Sequence, residues 1–333
     1  MTLRVAVTIE RWPLLEPFEI ARETIRDLPL LHLTLTDAEG RGGRAEAAGV
    51  DYEGETPEGM ATTIRAIVPA LREDLDGAAL AALLPAGGAR NAIDCALWDL
   101  RAKQTGVPAW KVAGLAPLRP LTTAFTLGLG AADNVRRRAR AAKDMPLIKL
   151  KVDHTRHIDL VRIVRDELPA SRIVVDANES WTPALLESLL SAMVTEGVEL
   201  IEQPLPRGGD EALETMAAPI PIAADESCTD RTSLAALVSR YQAVNIKLDK
   251  CGGILAGLRM IEMARSLGLK TMLGCMISSS VAITAAAHLS PLVDYADLDG
   301  NLLIDNDPYS GVMVEAGKLI LPGGDGLGLR PRG

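Results

Sequence analysis

The chain has 333 residues, 48% of them hydrophobic, with a formal net charge of −9. Such apolar content supports a sizeable core and argues against disorder, and with no basic run nucleic acid and anionic membrane surfaces are poor partners. An anionic substrate would therefore need a local positive device, either a metal or lysines.

Cys95, Cys228, Cys251 and Cys275 form no C-x-x-C pair and scatter through apolar segments. That is the pattern of buried thiols in a reducing compartment. The opening residues "MTLRVAVTIERWPLLEPF" alternate like a strand and lack a signal-peptide layout. No apolar run reaches the ~18 residues of a membrane span. The expectation is a soluble, cytoplasmic protein with no membrane partner.

Residues 1 to about 50 read as strands. "LRVAVTIERW" and "LPLLHLTLTDAEG" alternate, and the second ends in the turn-forming "DAEGRGG". Between them "LEPFEIARETIRD" reads as a loop carrying Arg22 and Arg26. From about Pro57 to Thr105 the period is helical. "GARNAIDCALWDLRAKQTG" places Ile93, Ala96, Leu97 and Leu100 on one face and closes on Gly106. Residues 1–115 thus read as a small α+β domain.

From about residue 120, short apolar strands alternate with helices. The strands are "LTTAFTLGL", "LIKLKV", "RIVVDAN", "VELIEQPL", "PIAADES", "AVNIKLDK", "KTMLGCM" and "DYADLDG". Helices such as "AADNVRRRARAAKD", "TPALLESLLSAMVTEG" and "ILAGLRMIEMARSLG" fill most of the gaps. This βα alternation implies a parallel sheet, and eight strands imply a closed barrel over residues 116–304 rather than an open sheet.

A charged residue stands near the C-terminal end of six of these strands: Lys151, Asp176, Glu202, Asp225, Lys247 and Asp297. The gaps are 25, 26, 23, 22 and 50, and the last spans two repeats because "TMLGCM" intervenes. Each strand therefore delivers a charge to the rim where barrel active sites lie. Asp176, Glu202 and Asp225 cannot all stay ionised side by side without a cation, and hard oxygen ligands at this density suit Mg²⁺, with Mn²⁺ as the alternative. Lys149 and Lys151 share one face of "IKLKV", so each disfavours the other's charge and one can act as a base. Lys247 arrives from across the barrel. A lysine on each side of a bound carbon acid suits proton removal from one face and return to the other, which is the geometry of a racemase or epimerase. The dianionic enediolate formed on the way needs concentrated positive charge. Asp297 and Asp299, two apart in "YADLDG", point to one face and call for a cation between them.

"IKLKV", "VVDANESW", "IEQPLP", "AADES" and "NIKLDKCGG" resemble, in order and spacing, the signature of the enolase superfamily's muconate lactonizing enzyme subgroup. The resemblance runs over essentially the whole chain. "ARNAIDCALWDL", "LGCM" and "ADLDG" are most similar to the dipeptide epimerases, above all the L-Ala-D/L-Glu epimerases. It implies an α/β fold, a modified TIM barrel (β/α)7β with an N-terminal α+β capping domain. The C-terminal tail, about 305–333, would return to complete that cap. It implies an isomerase with Mg²⁺ on Asp176, Glu202 and Asp225, and with Lys151 and Lys247 as acid/base catalysts. Lys149 would support the substrate carboxylate and depress the pKa of its neighbour. The D-x-D pair, Asp297 and Asp299, would hold the dipeptide's free α-ammonium, a role in keeping with the pairing of a cation with two carboxylates. Arg22 (or Arg26) would meet a glutamate side chain, and Thr126 would hydrogen-bond the substrate. The implied setting is murein peptide recycling on a small dipeptide substrate, with a homo-oligomer left open. N-acylamino acid racemase, o-succinylbenzoate synthase and muconate cycloisomerase activities would reuse the same lysines and metal, and a non-catalytic binding protein is a remote alternative. His154, His157, Cys275, Trp181 and Lys250 are given no site role; Lys250 is expected to face away from Lys247.

Overall fold

Alternating apolar residues draw the start of the chain into an antiparallel sheet. The computed structural model describes residues 2–117 and 120–332; Met1, Leu118, Arg119 and Gly333, which fall inside the expected domain spans, lie outside the described residues. Strand β1 (Arg4–Glu19) pairs with β2 (Thr24–Thr36), and β2 pairs with β3 (Gly42–Ala47). The segment expected as a loop between the first two strands is mostly strand. β1 passes an irregularity between Pro13 and Phe18 and continues to Glu19, so only residues 20–23 remain as a turn. Pro13 and Pro17 hid this strand, because proline cannot donate to a ladder. The irregular segment bonds elsewhere: Leu15 donates to Leu303 and Asp305 donates to Pro13 O, both at 2.9 Å. Arg22 thus sits in a tight turn, and Arg26 lies on β2.

Three helices follow, α1 (Pro57–Ile67), α2 (Gly77–Leu83) and α3 (Gly88–Thr105). The Thr56 and Asp76 side chains cap the first two by accepting from Gly59 N and Ala79 N. Gly106, left-handed with φ 65°, closes α3. The predicted face of Ile93, Ala96, Leu97 and Leu100 is buried. It lies so close on β3 that a Cβ at Gly43 would stand 2.1 Å from Ala96 O.

After α4 (Ala109–Val112) and the short β4 (Leu121–Thr122), eight parallel strands pair in sequence order. They are β5 (Phe125–Leu127), β6 (Leu147–Lys151), β7 (Arg172–Asp176), β8 (Val198–Glu202), β9 (Ile222–Ala224), β10 (Ala243–Lys247), β11 (Lys270–Gly274) and β12 (Tyr295–Asp297). The ring is closed by a Thr123–Ala296 bridge and by Ala124 N donating to Ala296 O at 2.8 Å. The crossovers carry α5 (Ala132–Ala141), α6 (Ile158–Glu167), α7 (Pro183–Thr195), α8 (Leu234–Leu237), α9 (Leu248–Cys251), α10 (Ile254–Ser266) and α11 (Ser280–Ala287). Between β8 and β9 a single 3-10 turn, Glu211–Glu214, replaces a helix. The last segment forms β13 (Tyr309–Ser310), β14 (Met313–Glu315), β15 (Lys318–Ile320) and β16 (Arg330–Pro331). β15 pairs with β4, Ala109 N donates to Gly326 O, and Leu327 N donates to Asp99 on α3.

Two inward layers set up the site. Leu147, Val174, Leu200, Ala223, Ala243 and Met272 pack together inside the barrel. Two residues further along each strand the same face carries Lys149, Asp176, Glu202, Asp225, Asn245 and Gly274. Strand pairing sets Lys151 beside Asp176 and Asp176 beside Glu202.

Glu46 on β3 is buried where the first sheet meets α11. It accepts from Ser279 N at 2.7 Å and Ser279 Oγ at 2.5 Å, and His32 Nε2 lies 3.1 Å away. Burial pushes Glu46 up to about 8 despite the Ser279 bonds, and burial holds His32 below its usual value. At neutral pH the two therefore meet as carboxylic acid and imidazole, not as an ion pair. The folded protein keeps this proton to about pH 8, whereas an unfolded glutamate loses it near 4.5. Its contribution to stability is complete below pH 4.5 and is lost as pH rises toward 8. Glu46→Gln cannot ionise, so it is expected to gain at least about 1 kcal/mol relative to wild type between pH 4.5 and pH 8 in urea melts. A difference constant with pH would disprove the assignment.

Candidate active site

The charged layer above the apolar one is an almost fully buried ion-pair network. Lys149 Nζ lies 3.0 Å from Asp176 Oδ2, 2.8 Å from Glu202 Oε2 and 2.7 Å from Asp297 Oδ2. Lys151 Nζ lies 2.6 Å from Asp176 Oδ2 and donates to Asn178 Oδ1 at 3.0 Å. On the other side Lys247 Nζ donates to Asp225 Oδ2 at 2.7 Å. Lys151 and Lys247 open into one cavity of about 590 Å³ between the barrel mouth and the hairpin of β1 and β2.

The burial of so many charges moves their proton affinities. Burial pulls Lys149 down, but Asp176, Asp297 and Glu202 outweigh it and hold the ammonium well above its ordinary value. The lowering expected from a lysine neighbour is thus not found at Lys149. Lys247 is likewise raised, because Asp225 outweighs burial. Asp176 and Asp225 are buried, yet their lysines hold both below the usual carboxylate range. Glu202 behaves oppositely: burial and then Asp176 push it up to about 8.

Asp176, Glu202 and Asp225 fit a hard divalent cation. Each offers an oxygen, and the three oxygens lie within 4.8 Å of one another. Glu202 Oε2 is buried and accepts no well-aimed hydrogen bond among the described residues. Glu202's raised affinity for a proton is what crowded carboxylates show when positive charge is short. Oxygen donors in this number suit Mg²⁺ or Mn²⁺.

Asp297 and Asp299 are both buried. Asp297 pairs with Lys149, while Asp299 Oδ2 accepts from Thr126 N at 2.6 Å. Thr126 Oγ1 also lies 3.5 Å from Asp297 Oδ1, so Thr126 bridges the pair. Burial, then Asp297, pushes Asp299 up to about 7. Asp299 occupies the position before the turn Gly300–Leu302, but its side chain caps nothing there. Arg22 reaches the cavity and donates to Glu226 Oε1 at 2.7 Å and Glu179 Oε2 at 3.3 Å. Arg26 lines the same cavity.

Several site residues were missed in the sequence. Lys250, expected to face away, donates to Asp225 Oδ1 and Asp225 O, both at 2.6 Å, and to Asn245 O at 3.0 Å. The chain turns helical at Leu248, and that turn swings Lys250 back under Asp225. Asn245, one inward step before Lys247, donates to Glu202 Oε1 at 2.9 Å, and strict alternation would have found it. Gln203 accepts from Asp225 N at 2.9 Å. Asn178, Glu179 and Gln203 all have positive φ (41°, 68° and 31°), and such strain gathers at functional rims. His157 accepts from Ile158 N at the start of α6, and Trp181 is buried and donates to Asp153 O. Cys275 is half-buried and lines the cavity.

Two family models match the chain: Mandelate racemase / muconate lactonizing enzyme, N-terminal domain, over residues 2–114, and Enolase C-terminal domain-like over residues 130–333. The L-Ala-D/L-Glu epimerase of Escherichia coli (strain K12) is 38% identical over 319 residues, 95% of this chain and 99% of its own. An N-acetyl-D-glutamate racemase of Pseudoalteromonas sp is 42% identical over 224 residues, 67% of this chain and 71% of its own. Among solved structures, the dipeptide epimerase of Enterococcus faecalis V583, complexed with Mg and L-Leu-L-Tyr, superposes with a TM-score of 0.92 at 29% identity, over 99% of both chains.

A cation on the carboxylates must stabilise the fold by mass action. Saturating Mg²⁺ is expected to add about 2–3 kcal/mol and raise Tm by several degrees. Glu202→Gln, which removes one charged ligand, should abolish most of that rise. A Tm indifferent to Mg²⁺ and Mn²⁺ in the wild type would remove the triad as a metal site.

Proposed function

The chain belongs to the mandelate racemase/muconate lactonizing enzyme family, and on that premise we propose that it is a dipeptide epimerase that inverts the α-carbon of the second residue, with L-Ala-D/L-Glu as substrate pair and Mg²⁺ as cofactor. One observation carries the reading. Lys151 on β6 and Lys247 at the end of β10 reach the same cavity from opposite sides of the carboxylate cluster.

Asp176, Glu202 and Asp225 would hold Mg²⁺, which would supply fixed positive charge against the negative charge that develops when the α-carbon loses its proton. Lys151 takes the α-proton on one face, and Lys247 returns a proton to the other. In the reverse direction they exchange roles. Asp176 and Asn178 hold the Lys151 amine, and Asp225 holds that of Lys247, so neither needs to search for its orientation. Lys149 adds a second buried cation beside the reacting carboxylate. Asp297 and Asp299, aligned by Thr126, accept the substrate α-ammonium. Arg22 has donors to spare beyond Glu226 and Glu179 and meets the glutamate side chain; Arg26 is the alternative partner. Residues 1–115 with the tail from about 305 act as the cap, and residues 116–304 act as the catalytic barrel. This substrate places the protein in recycling of cell-wall murein peptides in the cytoplasm.

A second reading, N-acylamino acid racemase, is favoured by the identity to the Pseudoalteromonas racemase. It reuses the lysines but leaves Asp297 and Asp299 without an ammonium to bind. Proton NMR of L-Ala-L-Glu with protein and Mg²⁺ in D₂O separates the two. The glutamate α-proton signal is expected to vanish as a second diastereomer appears. Turnover of N-acetylglutamate alone would overturn the dipeptide reading. Lys247→Ala should slow epimerisation about 10²–10⁴-fold while one stereoisomer still exchanges its α-proton at Lys151. Undiminished epimerisation would take Lys247 out of the mechanism. Asp297→Asn should impair dipeptides far more than N-acyl amino acids, and equal losses would count against the ammonium role.

A further inference from the structure

The cavity contains one buried polar group that the proposed chemistry leaves idle. Tyr52 lies in the turn Asp51–Glu53, which is closed by Gly54 in the left-handed conformation at φ 78°. Its hydroxyl is buried and has no hydrogen-bond partner among the described residues. Tyr52 lines the same cavity as Lys151, Asp225, Glu226 and Lys247. Its ring is held by two guanidinium groups, with Arg22 Cζ 5.2 Å and Arg207 Cζ 5.8 Å from the ring centroid. Those arginines are anchored in turn, Arg22 on Glu226 and Glu179 and Arg207 on Glu53. The ring is thus braced from two sides, and a buried donor without an acceptor is unfavourable until a ligand supplies one. Burial, aided by Asp225, raises this phenol well above its ordinary value, so it remains a donor at working pH.

We propose that Tyr52 is a specificity-determining residue whose hydroxyl donates to the side-chain carboxylate of the dipeptide's second residue, beside Arg22. The inference rests on the dipeptide reading above. The substrate α-carboxylate belongs next to the metal triad, deep in the barrel, whereas Tyr52 comes from the first domain together with Arg22. Tyr52 packs on Arg22, so the carboxylate that Arg22 meets is also the one within reach of its hydroxyl. An anionic side chain offers an acceptor to the phenol and the guanidinium at once, and an aliphatic side chain leaves the hydroxyl idle.

Tyr52→Phe removes only the hydroxyl. The test compares L-Ala-L-Glu with L-Ala-L-Leu by α-proton exchange in D₂O. For L-Ala-L-Glu, kcat/KM is expected to fall about tenfold or more, chiefly through KM, as for loss of a hydrogen bond to a charged group. For L-Ala-L-Leu it should stay within about twofold. The Tm of Tyr52→Phe should equal or exceed that of the wild type, because no structural bond is lost. Equal effects on both dipeptides, or a Tm lower by several degrees, would overturn the assignment. Wild-type protein inert toward both dipeptides would instead overturn the dipeptide reading and Tyr52's role with it, an outcome visible before any substitution is made.

Discussion

The mutual neutralisation of buried charge in the upper barrel governs the rest of the molecule. Lys149, Lys151, Lys247 and Lys250 lie against Asp176, Glu202, Asp225 and Asp297 within a few ångströms. Ions removed from water are tolerated only when paired and hydrogen-bonded. Asp299 and Glu226 add two more buried acids, and Arg22 compensates only one of them. Positive charge is short, and the protein answers by raising the proton affinity of Glu202 and Asp299. A divalent cation and a substrate ammonium would both relieve that shortage. The same shortage would make the site costly without ligands and selective for cations.

The barrel makes this network affordable by layering. A dry plug of Leu147, Val174, Leu200, Ala223, Ala243 and Met272 fills the interior below it. Parallel pairing in register then brings Lys151, Asp176 and Glu202 to one height on three neighbouring strands. The strands are short, and ion pairs across their ends hold the lysine and carboxylate groups in place before substrate arrives.

The charged cluster and part of the cavity wall above it come from different parts of the chain. The lysines and carboxylates stand on barrel strands or directly behind them. Arg22 and Tyr52 come from the first domain, on turns that reach over the cavity and are tied down by Glu226, Glu179 and Arg207. That wall can therefore change without disturbing the lysines and carboxylates, in keeping with loops that carry specificity on a fixed scaffold.

The sequence by itself determined the repeat and the charges carried on it. Strands of period two, helices of period 3.6 and acidic or basic residues at strand ends are local patterns. Hence β6 to β12, α3 with its Gly106 stop, and the set Lys149, Lys151, Asp176, Glu202, Asp225, Lys247 and Asp297 were all legible. Tertiary structure decided what those groups meet. That Asp297 pairs with Lys149 on the second barrel strand, 148 positions away in the chain, depends on closing the ring between its first and last strands. That Lys250 supports Asp225 depends on one helical turn after β10, which strand alternation cannot anticipate. The extension of β1 past Pro13 depends on hydrogen bonds to residues near 304. Tyr52 and Glu226 share a cavity only because the first domain folds over the barrel mouth. Periodicity is a property of neighbours along the chain, whereas pairing and burial depend on segments that only the fold brings together.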